Sequence, residues 1–403
     1  MPQSLANFDA AMKDNYGPGL RNSLNNSNPI FTELGRNTES IQGRRAVWSA
    51  HTGRSNSTGA RGELAALPTA DRQRLSSLSD DLAYLYHTIK VSGQALHLTK
   101  GDTAAFARAL ETEIKGADKD LKNDYARQIL GQAVSIGGTL YSGVIGTCTS
   151  GTDTNTLIMS GLTASEMRVF FVGENLDVVD PTTGAVQGTS TVASIDVANR
   201  TVELDSSTTA ASGDLVVRSG NLGNEINGLR FLTSSTQSYA GIDPASVPVW
   251  KSVQVGSSTT PVSEVIFDEA NEAVQTDGDG GDVNLWIAEH SQRRKLASQM
   301  QAQKRYEGKE VTLKAGWKGL DLAYGTLVAE RYCPVTFAVG LQTAEAEQFI
   351  GLDFTWDTDA GGSSLYKALD GSDAVEARLK TYRNLEFTNR NSHVRLTLAA
   401  PTF

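Results

Sequence analysis

The clearest apolar period along the chain is helical, with Phe106, Leu110, Ile114, Ala117, Leu121, Tyr125 and Ile129 recurring at steps of three and four. The opposite face carries Arg108, Glu111, Lys115, Asp118, Lys119 and Lys122, and both Glu111/Lys115 and Asp118/Lys122 stand four apart with opposite charge. Asp102 or Thr103 is placed to cap the start and Gly131 to mark the end. The spacing predicts a helix of about 28 residues, roughly 42 Å long, a structural spine. Two strand-like runs precede it, Arg45 to His51 and Tyr84 to Val91. The stretch between them, Thr52 to Asp81, is polar and dense in Gly, Ser and Arg, so the two runs read as a protruding hairpin with a long tip. Such a tip has no interior of its own; in an assembly it can lie across a neighbour.

Beyond the helix the period shortens. Arg168 to Val172, Leu176 to Val179, Ser190 to Ile195, Thr201 to Leu204 and Asp214 to Arg218 are short β runs, separated by turns such as Asp180-Pro181-Thr182-Thr183-Gly184 and Ala198-Asn199-Arg200. They predict a small β-barrel or sandwich inserted in a larger unit. An α/β pattern follows. Pro261 opens a helix striped with Val262, Val265, Ile266, Ala270, Ala273 and Val274. Leu285 to Ile287 is a strand, Ser291 starts a helix with Leu296 and Met300 on one face, and Thr326 to Tyr332 and Thr336 to Leu341 are further strands. In the last fifty residues Val375, Ala377 and Leu379 alternate, and Asn389-Arg390-Asn391 is read as a hairpin turn into Val394 to Leu398. The first forty residues, rich in Asn, Ser and Gly, cannot bury enough apolar surface alone and read as an arm that orders on a partner.

With 403 residues the chain is long enough for two or three packed units. Its apolar runs, such as Val169 to Val172, stop far short of the roughly 20 residues of a membrane span. The start, Met1-Pro2-Gln3-Ser4-Leu5 with Asp9 and Lys13 close behind, has no signal-peptide pattern, so a cytoplasmic protein is expected. Cys148 and Cys333 are far apart and outside any CxxC, and are expected as buried reduced thiols. A formal net charge of -10 argues against gripping nucleic acid through phosphates, though not against enclosing it.

Candidate chemistry is sparse. His51, His87, His97, His290 and His393 are scattered without zinc-ligand spacing. The run Asp277-Gly278-Asp279-Gly280-Gly281-Asp282 invites calcium but has Ala288 where the bidentate Glu should stand, and reads better as a helix end. No phosphate-binding loop or nucleophile elbow occurs in the right context. No catalytic, cofactor or metal residue is therefore expected. Basic residues cluster at Arg44/Arg45, Arg54, Arg61, Arg72/Arg74 and Arg293/Arg294/Lys295, without the interleaved aromatics of single-strand binders. Acidic segments, Asp205 to Asp214 and Asp268 to Asp282, are separate from the Arg-rich hairpin, a division that directs subunit orientation.

An arm, a long hairpin, a spine helix, an α/β unit and a final β-rich segment, in that order, resemble the tailed-bacteriophage major capsid proteins of the Hong Kong 97 fold. The local wording is similar to the actinophage branch: Arg61-Gly62-Glu63 and Leu67-Pro68; Ile89-Lys90-Val91-Ser92-Gly93-Gln94 leading into Phe106-Ala107-Arg108-Ala109-Leu110-Glu111 and Asp120-Leu121-Lys122-Asn123-Asp124; Asn224-Glu225-Ile226-Asn227-Gly228-Leu229; and Tyr382-Arg383-Asn384-Leu385. The resemblance spans essentially the whole chain. It implies an α+β fold with an N-arm at 1–43, an extended loop at 44–98, a peripheral domain with the spine helix at 99–134, an axial domain at 135–345 interrupted at about 147–222, and strands at 346–403 returning to the peripheral domain. It further implies a structural protein of the virion, assembled in the host cytoplasm from pentamers and hexamers around double-stranded DNA, with portal, scaffolding protein, protease and decoration protein as partners and no membrane. The alternatives are an encapsulin-like compartment shell and, from another class, an extracellular β-rich adhesin. Candidate inter-subunit contacts are Arg44, Arg45, Trp48, Arg54, Arg61, Glu63, Leu67, Arg72 and Arg74; Trp48 and Leu67 are expected to be buried only when the hairpin crosses a neighbour.

Overall fold

The computed structural model describes residues 30, 33–92, 94, 103–149, 154–278, 281–303, 310–312, 318–357, 367–368, 371 and 373–402. Most of the expected arm, with Asp102 and His97, lies outside them. So do the side chains of Phe106, Arg108, Leu110, Glu111, Lys115, Asp118 and Lys122, and with them the two expected charge pairs.

Helix α1, Thr103–Ile129, is the spine that the period predicted; at 27 residues it is about 40 Å long. Ile114, Ala117, Leu121, Tyr125 and Ile129 are all buried along one stripe. Gly131 follows its end, and crowding explains the choice. The residue is not among the glycines of positive φ, but a Cβ there would stand 2.8 Å from the Gln128 carbonyl oxygen.

Under α1 lies a sheet with Gly35–Asn37 parallel to Ala346–Trp356, which pairs antiparallel with Ala374–Phe387. Ala374–Phe387 also pairs over its length with Ala83–Ser92, from Ala374 opposite Ser92 to Arg383 opposite Ala83. This corrects the hairpin reading. The run at 84–91 is not the return strand of the 45–51 run; that strand is Arg74–Asp81, which sits within the stretch read as polar tip. Only Leu78 of its eight residues is buried, so its composition reads as loop while its backbone completes a ladder with Arg45–Gly53.

A second, seven-stranded sheet runs in the order Val253–Gly256, Val394–Thr397, Phe337–Leu341, Leu285–Ala288, Thr326–Ala329, Lys318–Asp321, Glu310–Thr312. All four residues of Leu285–Ala288 are buried, because both faces are covered. One face, with Trp286, Ala288, Ala338, Val394 and Leu396, packs under the two helices that span Glu264–Asp277 and His290–Gln303. The other face, with Leu285, Ile287, Val339 and Leu341, joins the core shared with α1 and the first sheet. A one-turn helix α2, Leu229–Leu232, joins that core as well. Helix α3, Glu264–Asp277, starts three residues after Pro261, where the Ser263 hydroxyl accepts the Ile266 N–H. Val265 therefore points outward, 71% exposed, and Phe267 takes its place inside. Helix α4 is His290–Gln303, with Leu296 buried.

The C-terminal hairpin is also corrected. Val394–Thr397 pairs with Val253–Gly256 and Phe337–Leu341, so residues 388–393 cross from one sheet to the other. Arg390, at this crossing, is fully buried; its guanidinium donates to the carbonyls of Leu232 (2.7 Å), Gln237 (2.8 Å) and Phe231 (3.0 Å). Burial lowers its pKa to about 10, and three carbonyls supply what a carboxylate usually would.

After α1 the strands are Gln132–Ile136, Thr139–Cys148, Thr154–Ser160, Asn175–Val179, Val186–Asp196, Thr201–Thr208 and Leu215–Arg218. Their pairings close on themselves, since Leu215–Arg218 pairs with both Asn175–Val179 and Thr139–Cys148. Arg168 to Val172, read as a strand, is instead a 3-10 turn, Glu166–Val169, followed by extended chain in which Phe171 and Val172 face water. Cys148 and Cys333 are buried free thiols, as expected.

Candidate assembly surfaces

The hairpin strands Arg45–Gly53 and Arg74–Asp81 carry a tip of twenty residues, 54–73. Among the described residues, the hydrogen bonds of 55–73 close within the tip or onto the adjoining strands. Asp71 accepts the N–H of Asn56 at 2.9 Å and of Arg72 at 2.8 Å, which together hold its carboxyl below the usual range; the Gln73 amide oxygen meets the Ser55 N–H at 3.1 Å and the His51 ring at 2.8 Å. Arg61 donates to the carbonyls of Ala60 (2.9 Å) and Ala66 (3.0 Å). The tip is thus organised locally, but it has no apolar interior. Leu64 is 102% exposed, Leu67 83% and Leu75 69%.

The candidate contacts therefore divide. Arg54, Arg61, Glu63, Leu67, Arg72 and Arg74 all sit exposed on the tip or at its base. Arg44 and Arg45 lie at the root, where both meet Asp81, Arg45 through a 2.7 Å hydrogen bond. Trp48 is a correction: it is only 9% exposed, 5.5 Å from the Phe349 ring and 6.1 Å from that of Tyr239. Its place in the strand turns the indole onto the chain's own core, so its apolar area is already used at home. Leu64 and Leu75 went unread in the sequence; a leucine within a Gly- and Arg-rich loop was the available signal.

The root is fastened by polar groups. The Asn227 amide donates to Asp80 at 2.7 Å and reaches Glu386 at 3.3 Å; the Tyr239 hydroxyl donates to Glu386 at 2.5 Å and accepts the Phe387 N–H at 3.0 Å. Asn384 donates to the Asp81 carbonyl at 2.9 Å. Glu386 is fully buried, and burial, then the neighbouring Asp80, pushes its carboxyl well above the ordinary range; burial likewise raises Asp80. Beside this root opens a cleft of about 740 Å³, walled by Leu82, Tyr84, Tyr86, Leu140 and Phe231 and edged by Asp80, Asp81, Asp124, Glu225 and Arg44. Tyr84 and Tyr86 meet Tyr382 edge to face, at 4.9 and 6.1 Å. On the α1 side Arg127 donates to Asp124 (2.8 Å) and Glu225 (3.0 Å), and Arg218 pairs with Asp124 and Glu174.

Asp277 ends α3, and Asp282 accepts from the Asn271 and Gln275 amides, which lower its pKa; Asp279 and Gly280 lie outside the described residues. His393 is buried against Phe387 with ring centroids 3.7 Å apart, and burial lowers its pKa to about 3.

No family model matches the sequence, and no curated protein does. Solved structures do. The chain is similar to the capsid asymmetric unit of cyanophage A-1(L), with a TM-score of 0.54 and 12% identity over 93% of this chain and 93% of that one. Mycobacterium phage Bobi aligns with a TM-score of 0.44 and 7% identity over 93% and 91%. The holo-SrpI encapsulin complex from Synechococcus elongatus PCC 7942 aligns with a TM-score of 0.44 and 8% identity over 93% and 88%. The chain has the α+β phage capsid fold that the order of its elements resembled.

Proposed function

We propose that this protein is the major capsid subunit of a tailed phage, a structural protein that encloses double-stranded DNA in a closed shell of pentamers and hexamers. The observation that carries the reading is a capsid fold bearing a hairpin whose tip holds exposed leucines and no interior of its own. Apolar area of this kind stabilises only when a partner covers it, at about 25 cal/mol per Å². Repeated around closed symmetry, contacts of a few kcal/mol add up to a stable shell.

On this reading residues 44–82 are the loop that overlaps a neighbour and α1 with the first sheet is the peripheral domain. The second sheet with α3 and α4 is the axial domain, and the ring of strands within 132–218 is a small inserted barrel. Portal, scaffolding protein, protease and decoration protein are the partners such a subunit meets in a virion assembled in host cytoplasm. Deleting residues 55–73 tests the reading by electron microscopy of the purified protein. The expected result is a soluble subunit without closed particles where the full chain forms them; normal shells from the deletion would contradict it. DNA inside particles from infected cells, rather than a packaged enzyme, separates a virion from an encapsulin-like compartment.

A further inference from the structure

We propose that Leu64 is a plug and that the cleft at the hairpin root of a second copy of this chain is its socket; this rests on the shell-forming reading and gives that contact an address. The plug is visible in the backbone. Residues 62–65 form a tight turn closed by the Ala65 N–H on the Gly62 carbonyl at 3.2 Å, and Leu64, its third residue, has φ of 62°. Glycine or asparagine ordinarily takes that position, because a side chain there crowds its own backbone. Arg61 bridges the carbonyls of Ala60 and Ala66 next to the turn. A bulky apolar side chain is thus held in an unfavourable conformation and directed wholly into water, a cost with no return among the described residues.

The socket follows from reach and chemistry. A nine-residue strand holds the tip about 30 Å from its own root, so a tip seated in this cleft belongs to another copy. A contact from tip to root joins different surfaces on the two partners, and such contacts continue from copy to copy into rings and shells instead of ending at a dimer. The cleft offers an apolar wall, Leu82, Leu140 and Phe231, wide enough for a leucine side chain. Its rim carries four carboxylates against Arg44, whereas the tip carries Arg54, Arg61, Arg72 and Arg74 against Glu63 and Asp71. Arg127 and Arg218 already answer Asp124 and Glu225 from the wall. Asp80 is held by Asn227, whereas Asp81 is half exposed and paired only with the exposed Arg44 and Arg45, so it is the acid that an incoming arginine can share, which orients the tip as the leucine enters.

Disulfide trapping tests the placement. Asn224 lines the cleft, and the native Cys148 and Cys333 are buried, so background crosslinking is low. In the full-length chain carrying Leu64→Cys with Asn224→Cys, oxidised particles should run as a ladder of linked subunits on a denaturing gel, and either single variant should not. Particles that assemble yet give no ladder overturn the socket and leave the shell reading standing. A wild-type chain that stays monomeric at high concentration brings down both. Leu64→Gly provides a second readout that does not depend on cysteine chemistry. Glycine suits the turn, so the subunit should melt at an unchanged temperature while particle yield falls at least tenfold; assembly at the wild-type yield would refute the plug.

Discussion

The hairpin and the second sheet are built from strands of opposite character. Leu285–Ala288 is buried at every position and paired on both sides, so each side chain is held by neighbours from the same chain. Arg45–Gly53 buries Ala46, Trp48 and Ala50 near its root, and beyond them the ladder continues to a tip exposed on all sides. The sheet is stabilised by what it packs against; the tip is shaped by its own hydrogen bonds and, among the described residues, is exposed. Damage to the first should unfold the subunit, and damage to the second should leave a folded subunit that assembles poorly.

Four measurements press on that difference. Arg390→Met should be the most damaging to the body, since it strands three carbonyls in the core; a loss on the order of 5 kcal/mol in denaturant unfolding is expected, and a change under about 1 kcal/mol would show that water or repacking replaces the guanidinium. Trp286→Ala comes next. The indole is fully buried, lies 4.9 Å from Phe267 edge to face, and donates to the Tyr324 carbonyl at 2.6 Å; its removal should cost about 3–5 kcal/mol by the same measurement.

Protons act at the junction of the two regions. Folded Glu386 holds its proton more tightly than the unfolded chain does, so its contribution is intact at low pH and is lost as pH rises from the ordinary carboxyl range through the raised folded value. The groups around it are Asp80 from the hairpin, itself beside Asp81 and Arg45, Tyr239 with Arg390 over its ring, and Glu347, which stands opposite in register and accepts from Asn37. The expected slope is at most about 1.4 kcal/mol per pH unit, and Glu386→Gln should flatten it. Hydrogen exchange of Arg74–Asp81 between pH 5 and 9 reads this locally, and equal pH profiles for the two proteins would remove Glu386 from the account. His393 works in the other direction: its pKa of about 3 makes stability fall as pH drops below about 6.5. The smallest effect on the subunit is expected from Leu64→Gly. Relief of about 1 kcal/mol of backbone strain nearly cancels the entropy that glycine adds to the unfolded chain, for a net change within about 0.5 kcal/mol.

Legibility followed burial. The α1 stripe was readable because one helix buries one face, and the period of Ile114, Ala117, Leu121, Tyr125 and Ile129 records it. Arg74–Asp81 was not readable, because a strand with a single buried residue carries no alternation to detect. The stripe of α3 was read one position out at Val265 because the period does not say which edge of a stripe meets the sheet. Arg390 was read as part of a hairpin turn and Glu386 was not singled out, since nothing local separates a solvated arginine from one that ends on three distant carbonyls. At the candidate surface the tip arginines and Leu67 were legible as exposed features of a coreless loop, whereas Trp48 was misplaced and Leu64 overlooked.

Sequence alone determined the long helix, the β-rich stretch after it and the presence of a projection without an interior, because each is written in local period and composition. Tertiary structure decided which strands pair, that Trp48 turns inward, that residues 388–393 cross between sheets, and that Asp80, Asn227, Tyr239 and Glu386 meet. Those outcomes depend on contacts between residues up to three hundred positions apart, and their free energy belongs to the packed arrangement of both partners, which neither segment encodes by itself.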